Sequence, residues 1–188
     1  EMRYFFTRKL MLMKDSQAFI CMPGGFGTLD ETFELLTLMQ TGRGAIAPTV
    51  LLDLPGDHFW QTMDTFVRNE LLPRGLISPS DLSLYKVCET TIGAVTEIED
   101  FYRVFHSIRF VGKYLIVRMN KSISEGYLAA MQTDFAHLRK NGLFEACGPT
   151  PQEISTNDNL DKTRFKFEFV RNDLGGLRSL IDRINQAD

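Results

Sequence analysis

The sequence predicts an α/β protein in which a parallel sheet flanked by helices is followed by a small α+β domain with an antiparallel sheet. Three observations predict this fold class. Short apolar runs alternate with helical apolar spacing up to about residue 105, a glycine-rich turn follows the first apolar run, and the pattern changes to paired strands after residue 106. We therefore expect a first domain over residues 1–105 and a second over residues 106–188.

The first strand is predicted over residues 18–22, where a continuous apolar run is short enough for a strand buried on both faces. Pro23 to Gly27 ends this run. Thr28 or Asp30 is then placed to cap a helix that runs to about Met39. The predicted local order is strand, glycine-rich turn and helix.

Two further strands are predicted at residues 49–53 and 85–88, with helical spacing between them and again over residues 91–105. The last of these helices places Val95, Ile98, Phe101 or Tyr102, and Phe105 on one apolar stripe. Short connections in a strand–helix–strand order indicate a parallel sheet with right-handed crossovers.

The second half of the chain predicts an antiparallel sheet with one open face. Residues 107–111 and 114–119 form two predicted strands around Gly112, and residues 124–140 have helical spacing. A long loop is expected from Pro149 through residues 155–162. A strand over 164–170 and a helix over 173–186 follow, and phenylalanine at alternate strand positions predicts one buried face, with Lys166 and Glu168 facing water.

Composition excludes several function classes. The 188 residues carry a formal net charge of −3, which argues against a nucleic-acid binder that depends on bulk positive charge. We find no apolar run long enough to span a membrane and no signal peptide, and therefore expect a cytoplasmic protein without a membrane partner. The three cysteines and three histidines show no metal-ligand spacing, so no metal and no cofactor are predicted.

The segment Pro23–Glu31 is the candidate ligand-binding segment, because it joins the end of a predicted strand to the start of a predicted helix. Open α/β sheets bind ligands at this edge, and exposed amides at a helix N-terminus attract anions. The segment is neither a P-loop, since the required lysine is absent, nor a dinucleotide fingerprint, since Asp30 stands where glycine would be needed. A phosphate is the expected ligand, although a glycine-rich turn taken alone is also a common structural turn.

The order of residues in this segment resembles the motif of the LONELY GUY (LOG) phosphoribohydrolase family. It reads Pro23-Gly24-Gly25-x-Gly27-Thr28-x-x-Glu31, preceded by the pair Arg8-Lys9, and the similarity continues to Thr37, Gln40 and the strand ending at Asp53. The resemblance covers roughly residues 1–105. It implies a Rossmann-like domain that hydrolyses the N-glycosidic bond of nucleoside 5′-monophosphates, including cytokinin forms, in a family often labelled "lysine decarboxylase".

The resemblance also implies roles for individual residues. Arg8 and Glu31 would be catalytic, with Glu31 beside the ribose, where a carboxylate can stabilise an oxocarbenium-like transition state or orient water. The residues that would bind the substrate are Lys9, Gly24, Gly25, Phe26, Gly27, Thr28 and Thr37. Glu31 could alternatively be a first-turn carboxylate favoured by the helix dipole, and Arg8-Lys9 a solvated pair.

Two questions about the whole protein stay open at this point. A non-catalytic carrier of a nucleotide or of molybdenum cofactor, of similar fold, is the alternative to an enzyme. The resemblance further implies a homodimer and a domain whose first half is missing here, because the motif normally lies in the middle of its domain. We therefore expect a further segment to complete the sheet at the strand over 18–22, and this chain alone to be poorly soluble and inactive.

Overall fold

The computed structural model describes residues 13–187 of the chain. These residues divide into two compact units. The first unit extends to Glu99 and includes Asn172–Arg178, whereas the second comprises Asp100–Arg171 and continues from Ser179.

The first unit contains the predicted parallel sheet of three strands. These are β1 (Phe19–Cys21), β2 (Thr49–Leu52) and β3 (Lys86–Cys88), hydrogen-bonded in that order, with Ile20 opposite Val50 and Leu51 opposite Val87. β2 lies in the middle and is completely buried. β1 pairs on one side only within the described residues, so the prediction that it is buried on both faces is wrong: Ile20 is 47% exposed.

Helices cover both faces of this sheet. The helical segments that lie within residues 26–101 are α1 (Phe26–Gln40), α2 (Phe59–Phe66) with a π-helical turn at Val67–Leu71, a 3-10 helix (Pro79–Leu84) and α3 (Thr91–Phe101). Leu51 packs with residues of α1 and α2, whereas its neighbours Val50 and Leu52 pack with Ala94 of α3. Alternation along one buried strand thus directs side chains into two cores.

The helix predicted over 91–105 ends four residues earlier than expected, at Phe101. Phe105 begins a strand instead, and Val95 is 50% exposed and does not belong to a buried stripe. The Asn185 side chain explains this end. Its Nδ2 donates to the Phe101 carbonyl at 2.6 Å, and its Oδ1 accepts from the amides of Val104 and Phe105, both at 2.9 Å.

The second unit contains the predicted antiparallel sheet. Its strands are β4 (Phe105–Val111), β5 (Tyr114–Met119), β6 (Glu145–Ala146) and β7 (Thr163–Glu168), in the order β4-β5-β7-β6. Gly112, with a φ of +58°, makes the turn between β4 and β5. Phe165, Phe167 and Phe169 are buried and Lys166 and Glu168 are half-buried, so the alternating phenylalanines line the core as predicted.

Three predictions for this unit are corrected. The helix over 124–140 is shorter, with α4 at Glu125–Asp134 followed by a 3-10 turn at Ala136–Leu138. The expected loop contains α5 (Pro151–Thr156), which begins with a capping box between Thr150 and Glu153. The two-residue strand β6 was not predicted. The C-terminal helix, α6 (Leu174–Ile184), agrees with expectation, and none of the helices in residues 13–187 could span a membrane.

Candidate functional site

The glycine-rich segment connects the carboxyl end of β1 directly to α1. Gly25 is the N-cap, in an extended conformation and without a side-chain cap, so the prediction that Thr28 or Asp30 caps the helix is wrong. Both residues lie inside α1. The amides of Phe26, Gly27 and Thr28 fall in its first turn, where helix geometry provides no backbone acceptor. Gly24 to Gly27 are exposed, which leaves this turn accessible to an anion.

The three glycines of the turn serve two different purposes. A Cβ atom at Gly24 would lie 2.2 Å from the Thr28 hydroxyl oxygen, so glycine is required for the Thr28 side chain to fold back over the turn. A Cβ atom at Gly25 or Gly27 would meet no atom within 4 Å, and neither residue has a positive φ. Nothing among the described residues therefore requires glycine at these two positions, and both leave open space beside the helix start.

Thr28 and Glu31 lie one turn apart on α1 and line the same cavity. The cavity has a volume of about 410 Å³ and is bounded on its other side by residues of β1, including Ile20 and Cys21. Side chains three positions apart share one helix face, which brings the hydroxyl and the carboxylate together. The structure thus unites two of the predicted site residues beside the glycine-rich turn.

A buried threonine, Thr32, also lines this cavity. Thr32 donates a hydrogen bond to the Thr28 carbonyl at 2.8 Å. Burial raises the pKa of the Cys21 thiol, and a hydrogen bond with Thr32 only partly offsets that effect. Cys21 is therefore protonated at neutral pH and lacks the thiolate character of a nucleophile.

Thr37 does not share this cavity. It lies two turns further along α1, about 9 Å from Glu31 along the helix axis, and its hydroxyl donates to the Phe33 carbonyl at 2.7 Å. It lines a separate cavity of about 100 Å³. The structure therefore does not bring Thr37 together with Glu31 and Thr28.

Arg8 and Lys9 lie outside the described residues, and their predicted roles stay predictions. Within residues 13–187 there is no grouping of histidine, cysteine, aspartate and glutamate that could hold a metal ion.

Sequence reasoning missed the role of Asp53, which follows β2 at the same edge of the sheet. Its buried carboxylate accepts hydrogen bonds from the amides of Trp60 at 2.8 Å and Gln61 at 3.1 Å. Asp53 therefore fixes the first turn of α2 beside the end of its own strand. An aspartate between an apolar strand and a helix was the available signal.

An open parallel sheet with an accessible, glycine-rich helix start at its carboxyl edge defines an α/β protein with an anion-binding type of site. The family model described as "Possible lysine decarboxylase" matches residues 1–98. That match covers more than half of the chain, and the chain belongs to this family, which confirms the LOG resemblance and its Rossmann-like fold.

Curated relatives agree with this assignment. The chain is 32% identical over 94 residues to a probable cytokinin riboside 5′-monophosphate phosphoribohydrolase of Oryza sativa subsp. japonica, covering 50% of this chain and 43% of the relative. It is 32% identical over 94 residues to a cytokinin riboside 5′-monophosphate phosphoribohydrolase of Arabidopsis thaliana, covering 50% of this chain and 42% of the relative. It is 32% identical over 91 residues to another of Rhodococcoides fascians, covering 48% of this chain and 44% of the relative. The chain thus spans less than half the length of these relatives.

Proposed function

We propose that the protein is a nucleoside 5′-monophosphate phosphoribohydrolase that releases a free base and ribose 5-phosphate. The observation that carries this proposal is that Thr28 and Glu31 line one cavity beside an exposed helix start. Cytokinin riboside 5′-monophosphates, which the relatives' names specify, and AMP-like purine nucleotides are the proposed substrates.

In this proposal the 5′-phosphate binds at the start of α1. The amides of Phe26, Gly27 and Thr28 and the Thr28 hydroxyl donate to its oxygens, and the helix dipole favours its charge. The open space beside Gly25 and Gly27 supports this placement, because it lets phosphate oxygens approach the backbone. Arg8 and Lys9 would add positive charge and orient the nucleotide.

Glu31 acts at the ribose. As the bond between C1′ and the base nitrogen breaks, positive charge develops on the sugar, and a carboxylate one turn from the phosphate stabilises it. The same carboxylate orients the water whose oxygen bonds to C1′. One proton of that water ends on the departing base and the hydroxyl stays on the sugar, so the products are the base and ribose 5-phosphate.

A product assay tests this function. The protein expressed from its complete gene is incubated with AMP, GMP, CMP, UMP and N6-prenylated AMP, and free base is quantified by chromatography. Release of base with equimolar ribose 5-phosphate supports the proposal. Tight binding of a monophosphate without release of base would instead favour the non-catalytic carrier.

A homodimer is part of this proposal, and an apolar face on α1 and α2 supports it. Phe26 is 94% exposed, Phe33 and Phe66 are also exposed, and beside them lies an apolar groove of about 670 Å³ lined by both helices. A face that has both protruding rings and a groove can be self-complementary about a two-fold axis. Light scattering should show a dimer that Phe66→Glu converts to monomer, and a monomeric native protein would refute this.

We also propose that a further strand pairs with the edge of β1 that faces away from β2. The exposed apolar side chains of Ile20 and Met22 support this, since soluble proteins rarely leave a flat apolar edge uncovered. The Phe19 amide already donates to the Pro48 carbonyl on the β2 side, so the Ile20 amide is the one that faces the other edge. Hydrogen exchange on the protein from its complete gene should show the Ile20 amide to be protected, and rapid exchange there would refute a paired edge.

A further inference from the structure

The segment Asn172–Arg178, called the return segment below, lies far outside the family match but belongs to the first unit. The family model ends at residue 98, whereas the compact unit that contains the candidate site includes residues 172–178. The structure of the site-bearing unit therefore depends on residues that the family match does not cover.

The return segment is attached to the 3-10 helix Pro79–Leu84 by close contact between backbones. Ser80 donates to the Asp173 carboxylate at 2.8 Å, and Ser83 donates to the Gly175 carbonyl at 2.7 Å. A Cβ atom at Gly175 would lie 2.2 Å from the Ser80 carbonyl oxygen. Only glycine fits at this contact, because the Cβ atom of an alanine would force the two backbones apart.

A buried ion pair makes the second attachment. Arg178 Nη2 lies 2.6 Å from Glu97 Oε1, and both residues are buried. Lys86, the first residue of β3, binds the other oxygen of Glu97 at 2.6 Å. Because the buried Arg178 guanidinium would lose its carboxylate if it moved away from Glu97, this end of the return segment is held against α3.

The 3-10 helix in turn contacts the helix that carries the site. Gln40, the last residue of α1, donates to the Asp81 carboxylate at 2.7 Å. Leu84 packs in one core cluster with Leu35 and Met39 of α1. Since α1 is continuous from Phe26 to Gln40, the position of its C-terminal half determines where its first turn lies.

We infer that the return segment positions α1, and with it Thr28 and Glu31, by fixing the 3-10 helix against the C-terminal half of α1. The return segment is a positioning element and does not touch the substrate. In the test below, the measurement of activity rests on the proposed function, whereas the measurement of hydrogen exchange does not.

The test compares Gly175→Ala with Gly126→Ala in the whole protein. Gly126 lies in α4, and a Cβ atom there would meet nothing within 4 Å, which makes it the matched control. Hydrogen exchange at the amides of residues 33–40 should accelerate at least tenfold in Gly175→Ala and stay unchanged in Gly126→Ala. With AMP as substrate, kcat should fall more than tenfold in Gly175→Ala while KM changes less, because Glu31 is displaced from the ribose.

Unchanged exchange in α1, together with faster exchange over residues 79–84, would overturn the inference. If Gly175→Ala does not fold, the double variant Ser80→Ala, Ser83→Ala removes both hydrogen bonds to the return segment without a clash and should show the same effect at smaller size. The single variant Ser78→Ala, which removes the local bond between the Ser78 and Ser80 hydroxyls, is its control. A wild-type protein that does not cleave AMP would contradict the proposed function and leave the exchange measurements to decide this inference.

Discussion

The glycine-rich turn of the first unit contrasts with an ionic cluster of the second unit, formed by Arg118, Glu153, Asp158 and Arg164. The turn is open to solvent, whereas the charged groups of the cluster are paired with one another. At the turn, Gly25, Phe26 and Gly27 are exposed, and the space beside Gly25 and Gly27 is open. In the cluster, Glu153 is fully buried and accepts from Arg118 Nε at 2.7 Å and from the Thr150 amide at 2.6 Å.

The other charged residues of the cluster also have partners within their own unit. Arg118 also lies 2.7 Å from Asp158, and Arg164 donates to the Asn159 carbonyl at 2.6 Å. Charged groups of the cluster are thus paired with groups of their own unit, which is what stability requires. The turn instead has open space beside Gly25 and Gly27. The cluster therefore serves folding, whereas the turn has the binding role only in the function proposed above.

The largest expected effect separates chemistry from folding at the turn. Glu31→Gln should lower kcat on the order of 10³-fold, because the amide cannot stabilise positive charge at the ribose. AMP affinity and the melting temperature should stay nearly unchanged. Steady-state kinetics and calorimetry check this, with Asp30→Asn on the same helix as control. A near-normal kcat in Glu31→Gln would remove the catalytic role of this residue.

Glu153→Ala tests the other side of the comparison. The variant leaves the buried Arg164 without its carboxylate and Arg118 with Asp158 alone, so the free energy of unfolding should fall by about 3–5 kcal/mol. Asp161→Asn removes a surface ion pair between an exposed carboxylate and Lys162 and should cost far less stability. Urea unfolding of both variants measures the difference, and equal small losses would show that the cluster does not stabilise the unit.

The same carboxylate predicts how stability depends on pH. Burial alone would raise the pKa of Glu153, but hydrogen bonds from Thr150 and Arg118 lower it to about 2. A carboxyl with a lowered pKa stabilises the folded state above its unfolded pKa, and this contribution is lost as the pH falls from about 4.5 to about 2. Acid titration should show a shallower loss of stability in Glu153→Gln than in wild type over this range.

A comparison of substrates with and without a 5′-phosphate tests the proposed phosphate binding at the glycine-rich turn. Adenosine should be cleaved with a kcat/KM about 10²-fold lower than AMP, since it lacks the charge-assisted hydrogen bonds that a phosphate would form with the turn. Parallel kinetics on the two substrates provide the measurement. Equal values would contradict phosphate binding at residues 25–28.

The smallest expected effect concerns Gly24. An alanine there would force the Thr28 hydroxyl out of its position, so KM for AMP should rise about tenfold with little loss of stability. Gly148→Ala is the control, because its Cβ atom would meet nothing within 4 Å. Unchanged KM in Gly24→Ala would mean that the Thr28 side chain does not contact the phosphate.

Much of the fold could be predicted because its signals are local. Apart from α5 and β6, the order of strands and helices follows from apolar spacing, and alternation of phenylalanine along β7 identifies its buried face. The turn at residues 23–28 was recognisable because glycines and a following carboxylate are adjacent in sequence. The exact start of α1 was not recognisable, because its N-cap is Gly25, which lacks the side-chain oxygen on which the prediction relied.

The sequence by itself determined the two sheets, the glycine-rich turn and the family to which the chain belongs. The tertiary structure alone decided that α3 ends at Phe101, because Asn185 binds that carbonyl from 84 positions away. It likewise decided that Thr37 lies apart from Glu31 and that residues 172–178 join the first unit. Periodicity reports which face of an element is apolar, but contacts between residues distant in sequence fix where each element ends and what it packs against.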